Sequence, residues 1–292
     1  MLRPCYLTLV LLAASFPAQA QEADPRGEMS VNERKVVDPS KQHFNEGNAA
    51  FKARDYQGAL ASYKKSIEAN DQNANAFFGL GLSYRKLRKP KEALVALDRA
   101  VAIKPDHDKA ISTRGSVKMD LRDYSGSVAD YKAVIELRPR DVKTYFKLAL
   151  AHDKQGSPAA AIGAYEKAVE IKPSYTKAHK NLGLLLEKQG DTAKAVTAFR
   201  HACEGSRSDA SACTKWAENL TKLQRFSAAE KAAEKALERK PGDAFALVTL
   251  GEALEGQRLY DAALEKYEQA KNDPTWGPTA VYKIEALKKK RG

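Results

Sequence analysis

Two cysteines, Cys203 and Cys213, are the residues of this 292-residue chain best suited to chemistry. They are ten residues apart and flank the polar turn Glu-Gly-Ser-Arg-Ser-Asp. In an oxidising compartment such a pair is expected to form a disulfide, which would join two neighbouring elements. Two buried free thiols and a metal or redox centre are the alternatives that the sequence leaves open.

The histidines and the known motifs provide no catalytic centre. Of the five histidines, only His179 and His201 are placed to approach the cysteines. His201 and Cys203 are two residues apart, so on a helix they point about 200° apart and do not face a common metal ion. The chain has no GxSxG, P-loop, HExxH or CxxC motif. The sequence therefore predicts no metal, no cofactor and no enzymatic activity.

The composition indicates a folded and basic protein. Hydrophobic residues make up 43% of the chain, which excludes wholesale disorder. Lysine and arginine number 49 against 37 aspartate and glutamate, so the formal net charge is +12. A basic protein associates with polyanions such as nucleic acid, anionic lipid, envelope glycans or acidic proteins, and the sign of the charge does not choose among them.

Residues 1–20 have the pattern of a secretory signal peptide, with an apolar stretch between Tyr6 and Phe16 and small residues at its end. We expect cleavage between Ala20 and Gln21 and a periplasmic or secreted bacterial protein. The apolar stretch is shorter than the ~20 residues that span a bilayer, so no membrane insertion is expected. Export also argues against nucleic acid as the partner. Residues 21–39 are polar and are predicted to form a flexible leader.

From residue 40 to residue 277 the chain repeats every 34 residues without insertion or deletion. The seven blocks are 40–73, 74–107, 108–141, 142–175, 176–209, 210–243 and 244–277. The eighth and twentieth places of every block hold a small residue, a regularity that chance does not produce. These residues are Gly47, Gly81, Gly115, Ala149, Gly183, Ala217 and Gly251, then Ala59, Ala93, Ser127, Ala161, Ala195, Ala229 and Ala263.

Each block has the apolar spacing of two amphipathic helices of about 13 residues. Large residues at place 24, such as Tyr63 and Tyr267, alternate with small ones at place 27. Small residues at places 8 and 20 allow the two helices to approach closely. Four blocks end with proline at place 32, which stops the second helix.

This pattern resembles the tetratricopeptide repeat family, and residues 76–107 are nearly a consensus copy of its repeat. The resemblance implies an all-α superhelical solenoid of seven helix-turn-helix repeats. Residues 278–292 resemble the helix that caps the last repeat, with Val281, Ile284 and Leu287 apolar and a basic tail. The resemblance to the family further implies a concave groove that is lined by the first helix of each repeat, where the family's ligands usually lie. The Cys203–Cys213 segment also looks like the junctions of disulfide-stitched relatives.

The places that would face this groove carry a row of lysines with apolar residues nearby. Lys109, Lys143 and Lys177 occupy place 2 of three successive blocks. The further candidates are Lys147, Lys180, Phe78, Leu82, Phe146, Leu150 and Leu184. A basic and partly apolar groove suits an extended acidic or carboxylate-bearing peptide. The alternative is that these lysines are ordinary solvated surface, and Asp120, Asp153 and Glu187 are near enough in the sequence pattern to neutralise them.

The sequence thus predicts a non-enzymatic scaffold or adaptor of the bacterial envelope that binds a partner peptide or protein in its groove. The alternative is a basic binder or carrier of an anionic envelope polymer. Strong salt dependence of binding would favour the carrier over a peptide fit.

Overall fold

A computed structural model of the protein describes residues 38–291. The predicted signal peptide and nearly all of the predicted leader lie outside the described residues. The helices of the described residues all lie in the compact unit Pro39–Gly292. No helix in the described part of the chain is both long and apolar enough to cross a bilayer.

The described residues form fifteen α-helices and no strand, as predicted for an all-α fold. They are α1 (Pro39–Lys52), α2 (Tyr56–Ala69), α3 (Ala74–Lys86), α4 (Pro90–Ile103), α5 (Asp108–Asp120), α6 (Tyr124–Leu137), α7 (Val142–Lys154), α8 (Pro158–Ile171), α9 (Thr176–Lys188), α10 (Thr192–Glu204), α11 (Ala210–Lys222), α12 (Phe226–Arg239), α13 (Ala244–Gly256), α14 (Tyr260–Ala270) and α15 (Gly277–Arg291). Each helix packs against the next one in the chain, and the first helices of several neighbouring pairs also touch. Seven helix pairs followed by one helix therefore form a solenoid, which confirms the predicted fold.

The helices recur with the period of the sequence. The second helices of the seven pairs begin 34 residues apart, at Tyr56, Pro90, Tyr124, Pro158, Thr192, Phe226 and Tyr260. Eight helices begin after a side chain that accepts a hydrogen bond from the first turn: Asp55, Asn73, His107, Asp123, Asp141, Asp191, Asp209 and Asp243. The helix boundaries are thus set by local capping as well as by packing.

The turn inside every pair contains one residue in the left-handed backbone region. These residues are Arg54, Arg88, Arg122, Gly156, Gly190, Gln224 and Arg258. In the first turn the N–H of Asp55 reaches the carbonyl oxygen of Ala50 at 2.9 Å, the long bond of a Schellman motif. Five of the seven turns adopt this conformation without glycine, at a cost of roughly 1 kcal/mol each.

Small residues at place 8 accommodate the large residue at place 24. A Cβ added at Gly251 would lie 2.4 Å from the ring of Tyr267, and one at Gly183 would lie 2.8 Å from that of Phe199. Both rings are fully buried. In the sixth block place 24 holds only Ala233, and Trp216 of α11 packs against the same cluster. Trp216 thus supplies a large side chain to the core where the repeat departs from its pattern.

Helix α15 covers the end of the last pair. Ala280, Ile284 and Leu287 lie at i, i+4 and i+7 and are buried in the core of the last pairs. Val281 was predicted to belong to this apolar face, but the structure corrects the prediction because Val281 is 41% exposed. The one-residue offset from Ala280 turns Val281 away from the core.

Candidate functional site

The lysines predicted to face the groove lie on the odd-numbered helices α5, α7 and α9. Lys109, Lys143 and Lys177 are each the second residue of their helix, and all three are exposed. Among the described residues, no carboxylate oxygen lies within 4 Å of any of their ammonium groups. The first turn of a helix also carries the positive end of its dipole, which adds to the positive potential there. We call these three residues the lysine ladder.

Of the three carboxylates considered as partners of the ladder, Asp120 and Glu187 are paired with other residues. Asp120 lies 3.2 Å from Nε of Arg85. Glu187 accepts from Lys222 at 2.7 Å and also pairs with Lys215. Asp153 lines a small cavity and forms no ion pair within the described part of the chain. None of these three carboxylates forms an ion pair with the ladder, and the alternative of a plain solvated surface stays open.

Lys147 and Lys180 differ from the ladder because each connects two neighbouring pairs. Nζ of Lys147 donates to Oγ of Ser112 at 3.0 Å, and burial lowers the pKa of Lys147. Nζ of Lys180 donates to Asp209 at 2.9 Å and to Ser211 at 2.6 Å. The structure therefore places both lysines in interhelical contacts: Lys180 is paired with a carboxylate, whereas Lys147 is partly buried and has no ion pair within the described residues.

The predicted apolar residues fall into two groups. Phe78 and Leu82 line a cavity of about 450 Å³ that also includes Lys109, and Leu184 is 41% exposed beside a smaller cavity. Phe146 and Leu150 instead pack against the buried core of the middle repeats. Phe78, Leu82 and Leu184 thus offer apolar surface to a ligand.

His107 lies among the lining residues of the Phe78 cavity and was not predicted there. Its Nε2 lies 3.1 Å from Oδ1 of Asn75, and its ring lies 5.0 Å from that of Phe78. Burial lowers the pKa of His107, which favours the neutral ring at pH 7. The ring caps α5 and contributes no charge to the groove.

A buried ion cluster lies within the pair α5–α6. The carboxylate of Asp130 is 4% exposed and lies 2.6 Å from Arg114 and 3.0 Å from Lys118. Arg114 also reaches Asp98, which is largely exposed. Burial opposes the charge of Arg114, but the hydrogen bond and the charge of Asp130 outweigh it, so the pKa of Arg114 is raised. Arg114 and Lys118 of α5 are thus neutralised by Asp130 of α6, whereas the lysines of the ladder form no ion pair within the described residues.

Towards the C-terminus the groove contains a network that we call the C-terminal ion network: Glu187, Lys215, Glu218 and Lys222. Lys222 lies 2.7 Å from Glu187 and 2.8 Å from Glu218, and Lys215 bridges the same two carboxylates. Burial raises the pKa of Glu187, but the hydrogen bond from Lys222 and the charges of both lysines outweigh it, so the pKa is lowered overall. These lysines are neutralised within the protein.

Next to this network lies a cavity of about 680 Å³, here called the C-terminal cavity. Phe226, Phe245, Tyr260 and Trp276 line it. The rings of Phe245 and Trp276 are stacked, with their centroids 4.3 Å apart. The sequence analysis did not select any of these residues. The signal that could have found the cavity is Phe245, which occupies place 2 of the seventh block, where the ladder has lysine.

The two cysteines lie side by side at the junction of α10 and α11. Their Cα atoms are 4.8 Å apart, and both side chains are fully buried. Arg239 donates from Nη2 to the carbonyl oxygen of Cys203 at 2.9 Å and from Nη1 to the sulfur of Cys213. This geometry is that of a disulfide, and the bond itself stays a prediction for thiol titration to test.

The histidines near the cysteines contact each other rather than the sulfurs. The rings of His179 and His201 are stacked, with centroids 5.0 Å apart. Nowhere in residues 38–291 do three His, Cys, Asp or Glu residues come together in a way that could hold a metal ion. The predictions of no metal and no cofactor stay predictions.

The fold and the groove define an open helix-pair solenoid. Sequence profiles of the tetratricopeptide repeat family match residues 44–108, 113–176, 177–207 and 214–275. The chain belongs to the tetratricopeptide repeat family. A crystal structure of the MamA protein has a similar fold, with 27% identity and a TM-score of 0.55 over 57% of this chain and 92% of that one.

Proteins with similar segments are much longer than the segments themselves. Serine/threonine-protein phosphatase 5 of Homo sapiens is 29% identical over 96 residues, which cover 33% of this chain and 19% of the phosphatase. Heat shock protein STI1 of Saccharomyces cerevisiae is 30% identical over 97 residues, or 33% of this chain and 16% of that protein. These matches cover only about a third of this chain and a fifth or less of each relative, so they are no evidence of catalytic activity in this chain.

Proposed function

We propose that this protein is a non-enzymatic scaffold of the bacterial envelope that holds an acidic segment of a partner protein in its groove. The observation that carries the proposal is the lysine ladder, Lys109, Lys143 and Lys177, whose side chains are exposed and whose ammonium groups have no carboxylate oxygen within 4 Å among the described residues. Surface lysines that attract an anionic partner raise its association rate and select it against neutral peptides.

The dimensions of the ladder indicate the length of the bound segment. Packed helices lie roughly 10 Å apart, so lysines on three successive pairs span about 20 Å. An extended chain advances about 3.3 Å per residue, so about six residues cover this distance. A partner with carboxylates spread over such a segment would pair with all three lysines at once.

The apolar residues beside the ladder favour a peptide over a simple polyanion. Phe78 and Leu82 share a cavity with Lys109, so a bound chain would place carboxylates and apolar side chains within reach of the same surface. A polymer that carries only negative charge would leave this apolar surface exposed to water. The carrier alternative therefore accounts for the lysines but not for their neighbours.

The envelope location rests on the signal-peptide pattern of residues 1–20. Amino-terminal sequencing of the protein from its native cells tests it. The expected result is a chain that begins with Gln21, recovered from the periplasm or the medium. A chain that retains residues 1–20 in the cytoplasm would contradict this part of the proposal and leave the groove unaffected.

Fluorescence anisotropy with a labelled peptide tests the groove function. The probe is an extended peptide of about eight residues in which Glu and Ser alternate, and its control has Gln in place of Glu. We expect the Glu peptide to bind at least about tenfold more tightly at moderate salt. Equal affinities would contradict the proposal. Inorganic polyphosphate that binds more tightly than the peptide, with all binding lost on raising salt, would establish the carrier instead.

A further inference from the structure

The C-terminal cavity has the size and the lining of a site for a bulky side chain. Its volume of about 680 Å³ lies within the range of pockets that bury small organic groups. The stacked rings of Phe245 and Trp276 form one wall, and Phe226 and Tyr260 contribute further aromatic surface. Stacked aromatic surfaces favour apolar and aromatic groups, which pack against ring faces and edges.

Most of the charged residues that line this cavity form ion pairs, whereas Arg258 and Lys290 form none within the described residues, and Nζ of Lys290 lies 5.2 Å from the ring centroid of Tyr260. Lys222 is held between Glu187 and Glu218. Lys283 of α15 lies 3.0 Å from Glu252. Breaking such pairs to bind an ion would leave a partly buried charge without its partner, which is unfavourable. The part of the cavity that is lined by the stacked rings of Phe245 and Trp276 therefore fits an uncharged apolar group.

The cavity and the lysine ladder lie on one line along the solenoid. Place 2 of the blocks holds Lys109, Lys143 and Lys177, then Ser211, then Phe245. Each of these residues is the second of its helix. A chain that follows this line passes from the ladder, over the uncharged Ser211, to the aromatic wall. Phe245 lies two blocks after Lys177. At roughly 10 Å per block this is a distance of about 20 Å, which about six extended residues would cover.

We infer that the C-terminal cavity is an anchor site for a large apolar or aromatic side chain of the same partner, located about six residues beyond the acidic segment on the ladder. This inference rests on the proposed function and adds the second half of the ligand. The acidic segment supplies electrostatic attraction, and the anchor fixes the register of the chain in the groove. Binding is then bipartite.

Two peptides test the inference against the unaltered protein. The first is the Glu-Ser peptide, and the second carries in addition a spacer of about six Gly and Ser residues that ends in phenylalanine. Versions with the phenylalanine at either end allow for both directions of the chain. We expect the anchored peptide to bind about tenfold more tightly in one of the two directions.

Variants of the cavity locate this gain. In Phe245→Ala we expect the anchored peptide to bind no more tightly than the unanchored one. The unanchored peptide should keep the affinity that it has for the unaltered protein. Thr279→Phe, which fills the cavity from α15 without removing a packed ring, should give the same result. Tyr282→Ala is the matched control, because Tyr282 is 69% exposed on α15 and does not line the cavity, so the gain should persist.

The outcomes separate this inference from the function on which it rests. If the Glu-Ser peptide binds but the anchored peptides bind no more tightly, the anchor site is refuted and the scaffold function stands. A gain that survives in both Phe245→Ala and Thr279→Phe would also refute the site. If neither kind of peptide binds, the proposed function fails, and the anchor site fails with it.

Discussion

The middle and the C-terminal parts of the groove use lysine in opposite ways. Lys109, Lys143 and Lys177 project without an ion-pair partner within the described residues, whereas Lys215 and Lys222 are held between two carboxylates. The first arrangement leaves positive charge available to a ligand, and the second uses it to join α9 to α11. Residue type alone therefore does not identify a binding surface in a solenoid; the state of pairing does.

The largest effect should come from the ion cluster beneath the ladder. Asp130→Ala would leave Arg114 and Lys118 without their buried partner, and we expect it to lower the free energy of unfolding by about 3 kcal/mol or more. Urea unfolding followed by circular dichroism measures this loss. Asp98→Ala removes only the exposed partner of Arg114 and should cost less than about 1 kcal/mol. Equal losses would show that burial does not set the strength of the cluster.

The junction between the two regions should give the next largest effect. Replacing Cys203 and Cys213 by serine is expected to lower the free energy of unfolding by about 2 kcal/mol, since the loop that the bridge closes is short. Adding a reductant to the unaltered protein should produce a similar loss, and adding it to the double variant should produce none. Two thiols that titrate freely in the unfolded, unreduced protein would show that no bridge exists.

A smaller effect is expected within the C-terminal ion network. Glu187→Gln removes the charge that Lys215 and Lys222 share, and it should lower the free energy of unfolding at pH 7 by about 1 kcal/mol. Urea unfolding measures the change. Lys143→Gln in the ladder is the matched control, because that ammonium group forms no ion pair within the described residues, and the free energy of unfolding of this variant should stay unchanged.

The pH dependence of the same variant provides an independent check. The pKa of Glu187 is lowered in the folded protein below its ordinary value of 4.5. Its charge therefore stabilises the fold above that value, and this contribution is lost as the pH falls through the lowered pKa. The difference between Glu187→Gln and the unaltered protein should shrink below about pH 4.5. A difference that is constant down to pH 2 or so would contradict the assignment of the stabilisation to this carboxylate.

The smallest effect concerns the turns, which are alike in both regions. Gln224 and Arg122 adopt left-handed backbone conformations, in which glycine avoids the steric cost of a Cβ. Gln224→Gly and Arg122→Gly should each raise the free energy of unfolding by about 0.5 kcal/mol. Thermal unfolding of the single variants measures the gain. A loss in one region and a gain in the other would show that the turns differ after all.

The sequence was sufficient to predict the fold because the spacing of small and large residues in each repeat determines how its two helices pack. Small residues such as Gly251 recur opposite large ones such as Tyr267, and this spacing determines two helices in contact. The left-handed turns were missed because glycine, the usual signal, occupies only two of the seven positions. The exposed position of Val281 was missed because the apolar face of a final helix has no following repeat to define it.

The candidate site was predictable only in part, because ion pairing depends on contacts between distant residues. Lys180 and Asp209 are 29 residues apart, and Lys222 and Glu187 are 35 apart, so no local pattern shows that they meet. The ladder could be read from place 2 of the blocks, whereas the ring that stacks on Phe245 in the C-terminal cavity comes from Trp276, which lies between α14 and α15. The geometry was needed to separate the available lysines from the engaged ones.

The most direct test of this account compares two variants with the same change in net charge. One carries Lys109→Glu, Lys143→Glu and Lys177→Glu in the ladder. The other carries Lys64→Glu, Lys132→Glu and Lys231→Glu, which alters exposed lysines on the second helices that also lack an ion pair among the described residues.

The measurement is the affinity of the Glu-Ser peptide for both variants by fluorescence anisotropy. The account predicts a loss of about 30-fold or more for the ladder variant and less than about threefold for the second-helix variant. Equal losses in the two variants would show that net charge alone attracts the peptide, and would contradict the assignment of the groove as the binding site.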